Sequence, residues 1–270
     1  MDLASDDLLT WKTAAVGIWF ALFFLGERLA PAVPRPAPED APGAVGGLHR
    51  LGRNLTLWLA NLGLSPLVVV PLSLWASTLA LDWRPAAWSG WHGLLLDVVL
   101  LDFLIYWWHL ANHRLPLLWR FHEVHHLDRF LDTTSALRFH FGEVLLSALV
   151  RAAVIYLLGF PIGSILAFET LVLLATLFHH SNLCLPAGLE RALSLVIITP
   201  SIHWVHHHAR QRDTDSNYGT IFSFWDRLFA SRSPTPRAPD MEIGVENRAE
   251  RSLAHLVVRP FLSAAAREAR

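Results

Sequence analysis

The sequence predicts an all-α membrane protein: a polytopic helical bundle of about four to five spans, with a helical cap at one face. Three observations predict it. Residues 54–81 and 152–168 contain no Asp, Glu, Lys or Arg, and charged residues are only 17% of the chain, against about 25% in an ordinary soluble domain. Charge-free runs of this length suit a ~30 Å hydrocarbon layer, which about 20 helical residues cross. Mean hydropathy is +0.36. The chain has 12 tryptophans, and Trp favours the membrane–water boundary, where the ring is buried and its N–H stays wet.

The first span is expected over 12–29. The acidic start of the chain lacks the basic region of a secretory signal, so this stretch reads as a retained helix. A loop rich in Pro, Ala and Gly follows over 31–47. The apolar stretch 55–81 would be roughly 40 Å long at 1.5 Å per residue, and it holds Pro66 and Pro71. It is therefore expected to be tilted, Pro-kinked or broken in two. A third stretch covers 91–112. A fourth and fifth cover 143–158 and 161–179, joined at Gly159-Phe160-Pro161 into a helical hairpin whose Arg151 and Glu169 could pair. The expected division is 1–54, a first span and loop; 55–230, the transmembrane and histidine-rich domain; and 231–270, a Pro/Ser-rich linker and a peripheral amphipathic segment over 252–270.

Basic residues collect in 30–54 (Arg35, Arg50, Arg53), in 113–142 (Arg114, Arg120, Arg129, Arg138) and in the tail (Arg210, Arg212, Arg227, Arg232). If 55–81 crosses once, all three segments share one side, and their charge marks it as cytoplasmic. Net charge is −1 and there is one cysteine, Cys184. Nucleic-acid binding has no support, and disulfide frameworks and cysteine-based metal sites are excluded.

The chain has 15 histidines, and their spacing matters more than their number. His109 and His113 form HxxxH; His122, His125 and His126 form HxxHH; His179 and His180 are adjacent; His203, His206 and His207 form a second HxxHH, followed by His208. On a helix, residues three and four apart share a face, so each cluster is a ready-made imidazole face. The topology above puts every cluster at one membrane face. Together they hold enough ligands for two metals, so the cap is expected to carry a histidine-ligated dimetal site on the cytoplasmic side. Imidazole suits Zn, Cu, Fe and Ni.

The order HxxxH, HxxHH, HxxHH resembles the fatty acid hydroxylase / sterol desaturase superfamily of membrane histidine-box di-iron oxygenases. So do the segments around it: Asp102 to His109, Leu118 to His126, Arg138-Phe-His140-Phe-Gly-Glu143, His180-Ser-Asn182, Thr199-Pro200 leading into His203, Asn217-Tyr218-Gly219, and Trp225 to Phe229. The resemblance spans 95–230. It implies O2-dependent hydroxylation or desaturation of a lipid (a sterol, fatty acyl or related chain) at two irons. The ligand candidates it implies are His109, His113, His122, His125, His126, His203, His206 and His207, with His179 and His180 competing for one position. Where some relatives have a further histidine, this chain has Ala175 and Thr176, so His140 or a water could complete the set. Asp102, Glu143, Asp215 and Asn217 are candidates to orient ligating imidazoles. No flavin, haem or iron–sulfur signature is present, so electrons would come from a separate protein of ferredoxin or cytochrome b5 type. Two rivals are a zinc-dependent membrane hydrolase, using Glu123 or Glu143 as base, and a metal transporter.

Overall fold

A computed structural model describes residues 5–36, 47–263, 266 and 267. Part of the expected 31–47 loop and of the 252–270 segment lies outside the described residues. Those described are helical with no strands, only isolated β-bridges. Among the described residues, four helical stretches are long and apolar enough to cross a membrane: Gly47–Thr78, Gly90–Arg114, Phe141–Leu158 and Ile162–His180. The chain thus has the expected architecture of a multi-pass membrane helical bundle.

Helix α1 (Ser5–Leu29) lies along the last span, α7 (Ile162–His180). Trp19 Nε1 donates to the Leu174 carbonyl at 2.9 Å and the Phe23 and Phe178 rings meet at 5.5 Å. The second stretch begins earlier than expected and is continuous: α2 (Gly47–Leu64) passes through a π-helical turn (Ser65–Val69) into α3 (Val70–Thr78). Pro66 lacks the N–H an α-helix needs and its ring crowds the preceding turn, and the wider π register absorbs both. Helix α4 (Gly90–Arg114) runs back, followed by α5 (Pro116–His126), α6 (Phe141–Leu158) and α7. Gly159, at φ 63°, closes α6 and starts the α6–α7 hairpin. Arg151 and Glu169 do pair across that hairpin, at 2.8 Å.

The spans bury little of themselves. Leu59, Leu67, Trp75, Leu95, Leu149 and Leu157 are exposed, as suits helices facing acyl chains. The apolar core between them is Val98, Leu101, Ala152, Ile155, Ile165 and Phe168. At one end Arg84 bonds Asp97 at 2.6 Å, and Asp97 accepts from Ser164 at 2.6 Å. After α7 the chain forms α8 (Ala187–Leu193), and at the other end sits a polar cap, formed by α5, the 3₁₀ turn Thr133–Leu137, α9 (Pro200–His206), α10 (Gln211–Thr214) and α11 (Phe224–Leu228) with the turns around them, and α12 (Leu253–Val258).

Several arginines of the basic segments are buried in the cap. Arg50 bonds Asp128 at 2.7 Å on both oxygens and Asp132 at 2.9 Å. Arg53 and Arg138 both bond Glu250, at 2.6 and 2.7 Å. These charges fasten α2 to the cap instead of facing water. The C-terminal segment is bound in as well. Leu256 is fully buried beside Leu57, Val124 and Leu127, and Arg248 and Arg259 bond Glu123 at 2.5 and 3.0 Å.

Candidate metal centre

Each histidine cluster ends a helix or occupies a short one, and all meet in the cap. His109 and His113 occupy the last two turns of α4. Leu115 is extended and Pro116 restarts the chain as α5, since proline at the first helical position forfeits no hydrogen bond. Helix α5 turns His122, His125 and His126 inward, and all are buried. His180 ends α7; His203 and His206 lie on α9, which also starts with a proline, and His207 caps it.

The side chains sort into two groups. His109, His113, His122, His126 and His206 offer nitrogens that all lie within 4.8 Å of one another, and so do His125, His180, His203 and His207. The division cuts across the sequence motifs. His122 and His126 go to the first group while His125 goes to the second; His206 joins the first while His203 and His207 join the second.

The chemistry of the nitrogens fits metal ions. In the second group, Nε2 to Nε2 separations are 3.1 Å for His125–His180, 2.9 Å for His180–His203 and 3.1 Å for His203–His207. In the first, His122 and His126 stand 3.2 Å apart. His125 Nδ1 faces the Arg138 carbonyl at 3.1 Å and His180 Nδ1 the Thr176 carbonyl at 2.8 Å. A carbonyl only accepts, so each Nδ1 carries the proton and each Nε2 presents a lone pair. Two lone pairs 3.1 Å apart repel unless a cation lies between them. Two ligands at right angles on ~2.1 Å metal–imidazole bonds would stand about 3.0 Å apart, which is the spacing seen.

The outer nitrogens are held where ligation needs them. His109 Nδ1 donates to the Tyr218 carbonyl at 2.8 Å, His206 Nδ1 to the Ser216 carbonyl at 2.6 Å, and His122 Nδ1 to Glu143 at 2.8 Å. Such partners fix the ring and its tautomer. Burial, then the neighbouring imidazoles, hold His125, His126, His203 and His207 well below the ordinary histidine range, and burial lowers His206 to about 3. These rings are neutral lone-pair donors at any ordinary pH.

The other sequence candidates are placed as follows. His179 is buried, with its ring 4.0 Å from that of His203, but it belongs to neither group. His140 is apart: its Nδ1 accepts from Gly142 N–H at 2.9 Å, capping α6, and its Nε2 donates to the Val257 carbonyl at 3.0 Å. Both nitrogens are occupied, so it does not complete either set. Glu143 is on a ligand candidate, His122. Asp215 Oδ1 stands 3.6 Å from His113 Nδ1, beyond hydrogen-bond length, and its other oxygen is 3.9 Å from Arg114. Asp102 touches no histidine of the groups. It accepts from the Ile221 and Phe222 backbone at 3.0 and 3.1 Å and from Trp225 Nε1 at 2.9 Å, tying α4 to the turn after α9. Asn217, at φ 53°, bridges the Ile202 carbonyl and the Ser233 N–H. His208 bonds Asp213 at 2.8 Å, outside both groups.

Sequence reasoning missed the acids beneath α5. Asp128 and Asp132, with Arg50, Thr134 and Ser135, form a buried network that holds the α5 exit. Arg50 and Arg138 hold the Asp128 carboxyl at about 2. The signal was two acids four apart, directly after the second histidine box.

Several known proteins are similar to this chain. The chain is 27% identical to ornithine lipid hydroxylase OlsE of Rhizobium tropici over 95% of this chain and 77% of that one. It is 31% identical to alkylglycerol monooxygenase of Danio rerio over 58% of this chain but 33% of that protein. It is 24% identical to cholesterol 25-hydroxylase of Rattus norvegicus over 57% of this chain and 51% of that one. The chain thus spans most of the first relative and about half or less of the other two. No solved structure matches. The fatty acid hydroxylase family profile matches residues 94–231, the segment that supplies every member of both histidine groups, and the chain belongs to the fatty acid hydroxylase family.

Proposed function

We propose that this protein is a di-iron, O2-dependent oxidoreductase that hydroxylates or desaturates a C–H position of a membrane lipid, with its histidine cap facing the cytoplasm. The observation that carries the reading is the pair of all-imidazole groups, whose Nε2 atoms stand 2.9–3.2 Å apart. His109, His113, His122, His126 and His206 would hold one metal, and His125, His180, His203 and His207 the other. The relatives' names span ornithine lipids, alkylglycerols and cholesterol, which favours a lipid substrate.

Bound iron would supply the redox chemistry that couples O2 to an unactivated C–H bond. In balance, R–H, O2, two electrons and two protons give R–OH and water. The residues do the rest. Glu143 and the carbonyls of Arg138, Thr176, Ser216 and Tyr218 hold the imidazoles in the ligating tautomer. Eight of the nine group histidines are buried, and His109 is half-buried. Lipid would reach them from the bilayer along the spans. The electrons would come from a ferredoxin or cytochrome b5 type protein, docking on the basic cap face of Arg120, Arg129, Arg210 and Arg212. The zinc hydrolase reading lacks its base: Glu123 is locked by Arg248 and Arg259, and Glu143 is on His122.

Anaerobic purification, metal analysis, Mössbauer spectroscopy and O2 uptake test this reading. Two coupled irons per chain are expected. Zinc alone, with no O2 uptake on adding reductant and lipid, would overturn it. Lipid mass spectrometry of cells with and without the active protein identifies the substrate. Charge reversal across Arg120, Arg129, Arg210 and Arg212 should slow reduction; unchanged rates and salt dependence would reject the docking face.

A further inference from the structure

A cavity of about 480 Å³ opens beside the five-histidine group, between the last two turns of α4 and the 212–218 and 229–234 turns. Its walls divide by chemistry. Trp107, Leu110 and Phe229 form an apolar side; Arg114, Arg212 and Arg232 form a cationic side. Asp215 is the one acid of the lining, and its oxygen is 3.9 Å from Arg114. Arg212 makes no ion pair among the described residues, and Arg232 lies near Asp226, to whose carbonyl its backbone N–H donates at 3.1 Å. The cavity therefore keeps a net positive charge.

Tyr218 adds an independent observation. It lines the cavity, yet it is 1% exposed, and its hydroxyl lies beside the Arg114 guanidinium. Tyr218 and Arg114 thus put a hydroxyl and a guanidinium side by side on the cavity wall. The same residue reaches the histidines: its carbonyl accepts from His109 at 2.8 Å, and its ring is 5.2 Å from that of His113.

We propose that this cavity binds the anionic headgroup of a membrane lipid, so that the substrate is an amphiphile with a phosphate or carboxylate head anchored one aromatic ring from the five-histidine group. The proposal rests on the lipid-oxidising reading and names its substrate class. Three features select this occupant. Guanidinium groups match phosphate and carboxylate oxygens in geometry as well as charge. The apolar wall continues from α4, a membrane-spanning helix, so a chain attached to the head has lipid-facing surface to follow. The volume lies within the ~300–1,000 Å³ of small-ligand sites.

The test is lipid retention by the full-length, metal-loaded protein, read by native mass spectrometry from detergent supplemented with dioleoyl phosphatidate, dioleoyl phosphatidylcholine or dioleoylglycerol. Phosphatidate should be retained over dioleoylglycerol. Its retention should fall about tenfold or more in the double variant Arg212→Glu/Arg232→Glu. The control Arg129→Glu/Arg191→Glu carries the same charge change on exposed arginines outside the cavity and should retain it. Tyr218→Phe should lower phosphatidate retention without changing that of dioleoylglycerol. If the charge-reversed protein loses its fold or its metals, Arg212→Gln/Arg232→Gln is read instead, with the same expectation.

Equal retention of all three lipids overturns the proposal, as does equal loss in both double variants. Displacement of phosphatidate by millimolar inorganic phosphate would mean an ion site, not a lipid site. A cavity variant that keeps phosphatidate but is no longer reduced by an acidic donor protein would assign the arginines to that donor. Metal content and O2 uptake are measured on the same samples. Phosphatidate retention by a protein that binds no iron sinks the oxygenase reading alone; iron and O2 uptake without selective retention sink the headgroup site alone.

Discussion

Removing the Glu143 carboxylate should weaken one metal site and spare the other. Glu143 Oε1 accepts from His122 Nδ1 at 2.8 Å, while Oε2 has no partner. Orienting His122 is thus the hydrogen-bonding work this side chain does. His122 belongs to the five-histidine group; the nearest member of the other group on α5, His125, is held by the Arg138 carbonyl instead. Loss of an orienting partner costs about 10–100-fold in metal affinity, or about 1.4–2.7 kcal/mol. Loss of an acid from the first turn of α6 adds about 0.3–1 kcal/mol against the fold, too little to unfold it. In Glu143→Ala, metal released to a chelator should therefore separate into a fast phase from one site and an unchanged slow phase from the other, measured by mass spectrometry of the retained metal. Glu143→Gln keeps an acceptor oxygen and should fall between alanine and wild type. Wild-type release kinetics in Glu143→Ala, or equal acceleration of both phases, would refute the assignment of Glu143 to one site.

Three further outcomes are expected. His180→Ala should lose metal from the four-histidine group, whereas His179→Ala should keep both metals; metal analysis of the two proteins decides, and the reverse result would exchange their roles. Arg50→Ala leaves Asp128 and Asp132 buried without their main counter-charge, a loss of about 3–5 kcal/mol, seen as a lower melting temperature in detergent; an unchanged melting temperature would mean the network is not stabilising. His206 has its pKa lowered from 6.5 to about 3 in the fold. The unfolded chain therefore binds more protons as pH falls below 6.5, and stability is lost through the window from 6.5 down towards 3. At pH 5 this one ring costs the metal-free protein about 2 kcal/mol, and flat stability between pH 7 and 5 would contradict it.

The membrane spans were legible because hydrocarbon imposes a length and a composition that any 20-residue window reveals. The Arg151–Glu169 pair was legible for a related reason: two charges in one apolar hairpin have few places to go. The kink in the second span was only partly legible. Pro66 and Pro71 announced a distortion, but a π turn within one continuous helix, rather than a break, depends on how α2 and α3 pack. The burial of Arg50, Arg53 and Arg138 was not legible, because a basic count cannot see partners 78, 197 and 112 residues away. Asp102 looked like a partner for an imidazole. Its three N–H donors come from the turn after α9, which no local pattern links to α4.

By itself the sequence determined the all-α membrane class, the family, and the set of histidines that could converge, since i, i+3 and i+4 spacing on a helix is a local property of the chain. The tertiary structure alone decided how those histidines divide. The angles at which α4, α5, α7 and α9 meet send His122 and His126 to one group and His125 to the other, and bring in His180 rather than His179. The same angles close both nitrogens of His140 into a helix cap and open an arginine-lined cavity beside Tyr218. Periodicity puts side chains on a face; only packing between helices decides what that face meets.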